Sequence, residues 1–274
     1  MSGTLTDIMV RERASDLTTL AGRRIKSSRP LILGTLAFVL IVLTWQMLSA
    51  FELISPFIIS SPRLVAEALR DQLQQGQLYS DLGVTAMEFA IGFTLGTILG
   101  LIVGFACYYR IVAYALDPFL WIGYSAPTVA LFPVIVLLLG QGTTSVIVLT
   151  TKVVMFAVAL NVASAIRDVR HDLVLAARSF CATDMQILRK VMIPAAVPML
   201  GVSVRLGIGR GLVGVLVAEF FASDKGLGYR IAFYGHSFQM AQMLANVVII
   251  TILGVLFTRV AEGIEARAGA WREV

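Results

Sequence analysis

The sequence predicts an all-α integral membrane protein of about six transmembrane helices. Three observations carry that reading. Of 274 residues, 58% are hydrophobic and only 14% charged, against roughly 25% charged in an ordinary soluble domain. A water-soluble fold of this size cannot hide so much apolar surface. Six runs approach the roughly 20 mainly apolar residues that a bilayer span needs. The basic residues are also sorted unevenly between the segments that join those runs, as the positive-inside rule requires.

The elements follow in order. Residues 1–30 form a polar, basic tail. The first run, 31–51, is a full span long and begins well inside the chain, which argues against a cleaved signal peptide. Ser61-Pro62 then opens an amphipathic stretch to about Gln74, with the Ser-Pro start typical of a surface helix. The second span, 82–107, holds Gly92, Gly96, Gly100 and Gly104. A glycine every fourth residue makes a smooth stripe on which another helix can pack. The third, 113–139, contains Pro118, Pro127 and Pro133 and reads either as one kinked helix or as two shorter ones. The fourth and fifth spans are 145–166 and 195–222, and the sixth is 243–261. Between the last two lies a segment rich in glycine and aromatics, 223–242, read as a short re-entrant or interfacial helix.

Charge sets the orientation. The tail carries Arg11, Arg13, Arg23, Arg24, Lys26 and Arg29. The 167–194 loop carries Arg167, Arg170, Arg178, Arg189 and Lys190, whereas the 140–144 turn carries no charge. This bias puts both termini in the cytoplasm of a multi-pass protein, which requires an even number of spans.

Composition and motifs also exclude. The net charge of +5 is spread beside apolar runs and reads as membrane topology, not nucleic-acid binding. Cys107 and Cys181 fit no zinc spacing and are expected as free thiols. His171 and His236 lack a metal-binding context. No GxxxxGK[ST] phosphate loop occurs, so no ATPase site is expected in this chain. No His, Asp or Cys cluster suggests a membrane enzyme.

The 167–194 loop is the most informative stretch. Thr183 or Asp184 is placed to cap a short helix running to about Met192, and Pro194 to mark a boundary before the fifth span. Two short helices are thus expected crosswise on the cytoplasmic face. The loop resembles the coupling loop of ABC importer permeases: E-A-A, three residues, G, nine residues, I-x-L-P. The matching positions are Leu175, Ala176, Ala177, then Cys181, then Val191, Ile193 and Pro194, with Arg178 inside the motif. Leu175 stands where the family has Glu, and Cys181 where it has Gly.

Two more stretches carry the resemblance. Val217 to Tyr229 reads VAEFFASDKGLGY and is similar to a signature of the nitrate, sulfonate, taurine and pyrimidine-precursor permeases. Pro127 to Pro133, followed by Gly140, resembles their third-span pattern. The resemblance covers about residue 60 onward. It implies a type I ABC importer transmembrane domain (31–274) with a cytoplasmic coupling helix, behind a cytoplasmic tail (1–30). It also implies a bacterial inner-membrane location, a second copy of the chain, and partner ATPase subunits that bind ATP and Mg. An extracytoplasmic solute-binding protein completes the set. The alternative from another class is an ion-coupled secondary transporter, for which broken helices and internal repeats would speak; no convincing repeat is present.

Ionisable groups inside spans are costly and are functional candidates by default. They are Glu88 in the second span, Lys152 in the fourth, and Arg205, Arg210 and Glu219 in the fifth. Two readings stand for them. They line or gate a pathway, in which case the cations suit an anionic solute. Or they pair internally, for example Arg210 with Glu88 and Lys152 with Glu219. Arg205 and Arg210, five residues apart, point about 140° apart on an ideal helix.

Overall fold

The computed structural model describes residues 29–51 and 59–269. The described residues are helical, with no strand. Residues 1–28 of the basic N-terminal tail lie outside them. The chain divides into two units, Met1–Leu53 and Ile54–Val274. The described part of the first unit is the apolar helix α1 (Arg29–Ala50).

The second unit holds the remaining elements. They are α2 (Pro62–Gln75), α3 (Gln77–Ala106), α4 (Arg110–Ser125), α5 (Thr128–Leu139), α6 (Thr143–Arg167) and α7 (His171–Ser179). The short α8 (Asp184–Ile187) follows, then α9 (Ile193–Ala222), α10 (Leu227–His236) and α11 (Met240–Gly269). Helices α1, α3, α6, α9 and α11 are each long and apolar enough to cross a membrane. Helices α4 and α5 pass that test only together and are bent by 94°. Counted as one broken span they make six.

Helix α6 is the centre of the second unit. Val146, Val154, Val158 and Val162 on it are fully enclosed. The glycine stripe of α3 lies against it. A methyl added at Gly92, Gly96, Gly100 or Gly104 would come within 2.8 Å of Thr150, Val154, Val158 or Val162, respectively. Partner numbers rise together, so α3 and α6 run parallel, and small residues on one meet β-branched residues on the other. That close approach maximises dispersion contact where lipid gives no hydrophobic drive. Gly207 and Gly211 bring α9 onto the same Val158 and Val154.

The third span breaks where Pro127 dictates. The residue before a proline is pushed out of the helical region, and Ala126 has ψ 122°. Pro118 and Pro133 lie inside α4 and α5 without ending them. The surface helix α2 starts as expected. Ser61 Oγ accepts from Leu64 N at 3.2 Å, and Gly76 closes the helix at φ 75°. It is tied to α11 by the buried Asn246, whose amide donates to Gln72 Oε1 at 3.1 Å.

One expected boundary is absent. Helical backbone runs from Asp184 through Ala222, passing Pro194 by way of a single wide turn, Leu188–Met192. Proline has no N–H and crowds the carbonyl four residues back. A π-type turn just before it absorbs that conflict without ending the helix. The crosswise pair is therefore one free-standing helix, α7, and one short helix continuous with the fifth span.

Candidate functional site

The 171–192 segment is built with an inner and an outer face. Val174, Ala177, Ala182 and Val191 pack inward with Ile187, Leu188 and Met192 onto the Val158–Ile166 end of α6. Leu173, Leu175, Phe180 and Met185 point outward, with Phe180 87% exposed. Of the coupling-loop residues read from sequence, Leu175, Ala176, Arg178 and Cys181 are exposed, and Ala177, Val191, Ile193 and Pro194 are half-buried.

Local caps hold the segment. Cys181 N donates to Arg178 O at 2.9 Å and Ala182 N to Ala177 O at 3.2 Å, the paired bonds of a Schellman helix end. Cys181 takes the left-handed position at φ 56°, where glycine is the usual residue. The tight turn is therefore kept with a thiol at its corner, and that thiol is exposed and free, while Cys107 is free and buried. Thr183 then caps α8 reciprocally. Gln186 N donates to Thr183 Oγ1 and Thr183 N to Gln186 Oε1 at 2.9 Å. Arg178 and Asp184 approach to 3.5 Å across the turn.

At the opposite end of the bundle, Glu219 is fully enclosed. Its Oε1 accepts from Thr85 Oγ1 at 2.6 Å and its Oε2 from Gly228 N at 2.5 Å. Thr85 Oγ1 in turn accepts from Leu227 N at 2.8 Å. Asp81 accepts from Gly226 N at 3.2 Å and from Arg230 Nε at 2.7 Å. This clasp joins α3, the end of α9 and the start of α10, and it explains the glycines of the GLGY stretch. Gly226 has φ 100°, and a Cβ there would run into the Glu219 carboxylate. One on Gly228 would meet Leu216 O at 2.7 Å. Asp81, Thr85 and Arg230 were not singled out from the sequence; polar residues in the first turns of an apolar helix were the available signal. Glu88 is also fully enclosed, and among the described residues neither carboxyl oxygen has a hydrogen-bond partner.

The internal pairs expected from the sequence do not form. Lys152 Nζ donates to Ala126 O at 3.2 Å and to Thr128 Oγ1 at 3.3 Å, and lies over the Phe156 ring. Arg210 donates to Tyr124 Oη at 2.6 Å, and its guanidinium lies 5.1 Å from that ring's centre. Helix rotation decides this: both cations face the break between α4 and α5, whereas Glu219 faces α3 and Glu88 lies in line with the glycine stripe that meets α6. Arg205 is half-buried on α9. Next to the break, a cleft of about 300 Å³ is lined by Trp121, Tyr124, Leu160, Asn161, Ser164 and Arg167, and Arg167 bonds Asp117 at 2.9 Å. Tyr124 and Trp121 were not read as candidates; their place beside Pro127 was the only sign.

The chain is similar to known proteins. The chain is 28% identical over 240 residues to the putative aliphatic sulfonates transport permease SsuC of Bacillus subtilis (strain 168), covering 87% of each chain. It is 27% identical over 264 residues to the taurine transport system permease TauC of Escherichia coli (strain K12), covering 92% of this chain and 95% of that one. A chain of the inward-facing MetNI methionine ABC transporter superposes with a TM-score of 0.61 at 23% identity, covering 72% of this chain and 98% of that one. The model of one family matches residues 96–269, which take in the elbow, the 171–192 segment and the Glu219 and GLGY side of the clasp. The chain belongs to that family, the binding-protein-dependent transport system inner membrane components.

Proposed function

We propose that this chain is the permease subunit of an ATP-driven importer that takes up a small anionic solute, in the class of sulfonates, taurine, nitrate, aromatic acids or pyrimidine precursors. Two copies enclose the path, since about six spans are too few to do so alone. ATPase subunits, which bind the ATP and Mg, dock on the 171–193 segment, and a solute-binding protein delivers to the far face. Both termini lie in the cytoplasm, and the chain performs no catalysis itself.

The observation that carries this reading is the two-faced 171–192 segment. Its inner face is packed onto α6 and it is continuous with α9, so a push on its outer face is transmitted to two spans as a rigid body. The exposed Leu173, Leu175, Phe180 and Met185 are suited to a hydrophobic groove on a partner.

The test uses the native thiol. With Cys107 replaced by Ser, Cys181 is the one cysteine in the chain, and a short bifunctional reagent in native membranes is expected to join it to an ATPase subunit. Mild-detergent purification is expected to recover that subunit at a one-to-one ratio. A chain that purifies alone and cross-links to no ATPase would replace this reading with ion-coupled transport.

A further inference from the structure

The two cations at the elbow of the broken span call for an explanation that the fold does not supply. Gly142 N donates to Ala222 O at 2.6 Å, which holds the start of α6 and the end of α9 at one level. From that level, Lys152 stands nine residues along α6 and Arg210 twelve back along α9. At 1.5 Å per residue these are depths of about 14 and 18 Å, near the middle of a hydrocarbon layer about 30 Å thick. Among the described residues, no carboxylate lies within ion-pair distance of either. The enclosed carboxylates lie elsewhere, Glu219 in the clasp and Glu88 in line with the glycine stripe of α3. Two charges at mid-membrane without a counter-ion are costly unless they face water or an anion.

The surroundings suit an anion. The break leaves the Ala126 carbonyl and the first turn of α5 outside regular helix pairing. Lys152 takes up that carbonyl and Thr128 Oγ1, which uses two of its three donors. Arg210 keeps its planar fork of donors against Tyr124, with one N–H on the phenol oxygen. Tyr124 and Trp121 form the aromatic wall of the 300 Å³ cleft, which continues through Asn161 and Ser164 to Arg167 at the 171–192 end.

On the permease reading above, we infer that this elbow is where the translocated solute rests in the membrane. The Lys152 ammonium and the Arg210 guanidinium bind one oxyanion head, sulfonate or carboxylate, and Trp121 and Tyr124 pack against its organic part. The polar wall from Asn161 to Arg167 then leads the solute towards the end that carries the 171–192 segment.

The experiment uses the full chain in lipid nanodiscs, with Trp45 and Trp271 replaced by Phe so that Trp121 alone fluoresces. Sodium methanesulfonate is exchanged for sodium chloride at fixed ionic strength, and dimethyl sulfone, a neutral molecule of the same shape, is titrated in parallel. A saturable change in Trp121 emission is expected with methanesulfonate and none with the sulfone. Its apparent affinity is expected to fall about tenfold in Arg210→Gln and in Lys152→Gln, and to stay within about threefold in Arg210→Lys and Lys152→Arg. Equal responses to the two probes, or Gln variants that titrate like the parent, would overturn the assignment. The sulfonate–sulfone comparison in the parent needs no elbow variant, so it decides even where Lys152→Gln does not fold. Failure here separates from failure of the permease reading. ATP hydrolysis stimulated by the binding protein, with no sulfonate response at Trp121, removes the elbow site and leaves the importer. A sulfonate response without an ATPase partner supports the site and removes the importer.

Discussion

At one end of the bundle, Glu219, Thr85, Gly228, Asp81 and Arg230 close on one another, and the bonds from Thr85 to Glu219 and from Arg230 to Asp81 link residues 134 and 149 positions apart. At the other end, the 171–192 segment is held by caps spanning three to five residues and by an apolar inner face, while its outer face stays exposed. The five residues of the clasp have their polar groups satisfied within it. The other end leaves four large apolar side chains unused. Buried polar networks are costly to break at any member, so the clasp reads as a fixed point. A locally capped segment tolerates surface change, so its outer face is free to serve a partner.

The sharpest way to break that contrast is at the clasp. Gly228→Val places methyls against a backbone carbonyl and the Glu219 carboxylate, and a loss of about 3 kcal/mol or more is expected from overpacking and lost hydrogen bonds, read as failure to recover folded chain after solubilisation. Glu219→Ala orphans Gly228 N–H and leaves a buried void. A loss of about 2–3 kcal/mol is expected, measured as a lower melting temperature in detergent.

The other end is expected to respond differently. Thr183→Ala removes a reciprocal cap and costs about 1 kcal/mol, visible by thermal unfolding and as faster hydrogen exchange confined to α8. Cys181→Gly relieves a left-handed non-glycine residue and is expected to stabilise by about 0.5–1 kcal/mol. The smallest stability effect, within about 0.5 kcal/mol, belongs to Phe180→Glu, which nevertheless is expected to abolish uptake driven by ATP. Full transport by that variant would remove the outer face from the coupling role. Ala177 is a poorer probe of docking than Phe180 or Leu175. It faces inward, and its carbonyl accepts the N–H groups of Phe180 and Ala182.

Much of this was legible in one dimension because its causes are local. Apolar run length located the spans, Ser61 and Thr183 announced helix starts, and the four-residue glycine period marked the face that meets α6. Pro127 marked where the third span breaks, although Pro118 and Pro133 were equal candidates on paper. Pro194 misled, because a proline preceded by a wide turn is compatible with a continuing helix. The family position usually occupied by glycine kept its left-handed turn with Cys181 in it, since a turn closed by backbone bonds on both sides can hold a residue that dislikes the conformation.

The membrane class, the approximate spans, the helix caps and the short helices of the 171–192 segment could be read from the chain alone, because each depends on neighbours three to five residues apart or on the mean polarity of a stretch. What each intramembrane charge touches is settled by the packing of the helices. Lys152 and Arg210 met the elbow, not Glu219 and Glu88, because partner choice depends on how far each helix is rotated and how deep it sits. Those two quantities are set by the glycine-to-valine packing of α3, α6 and α9, and no local pattern around a charged residue records them.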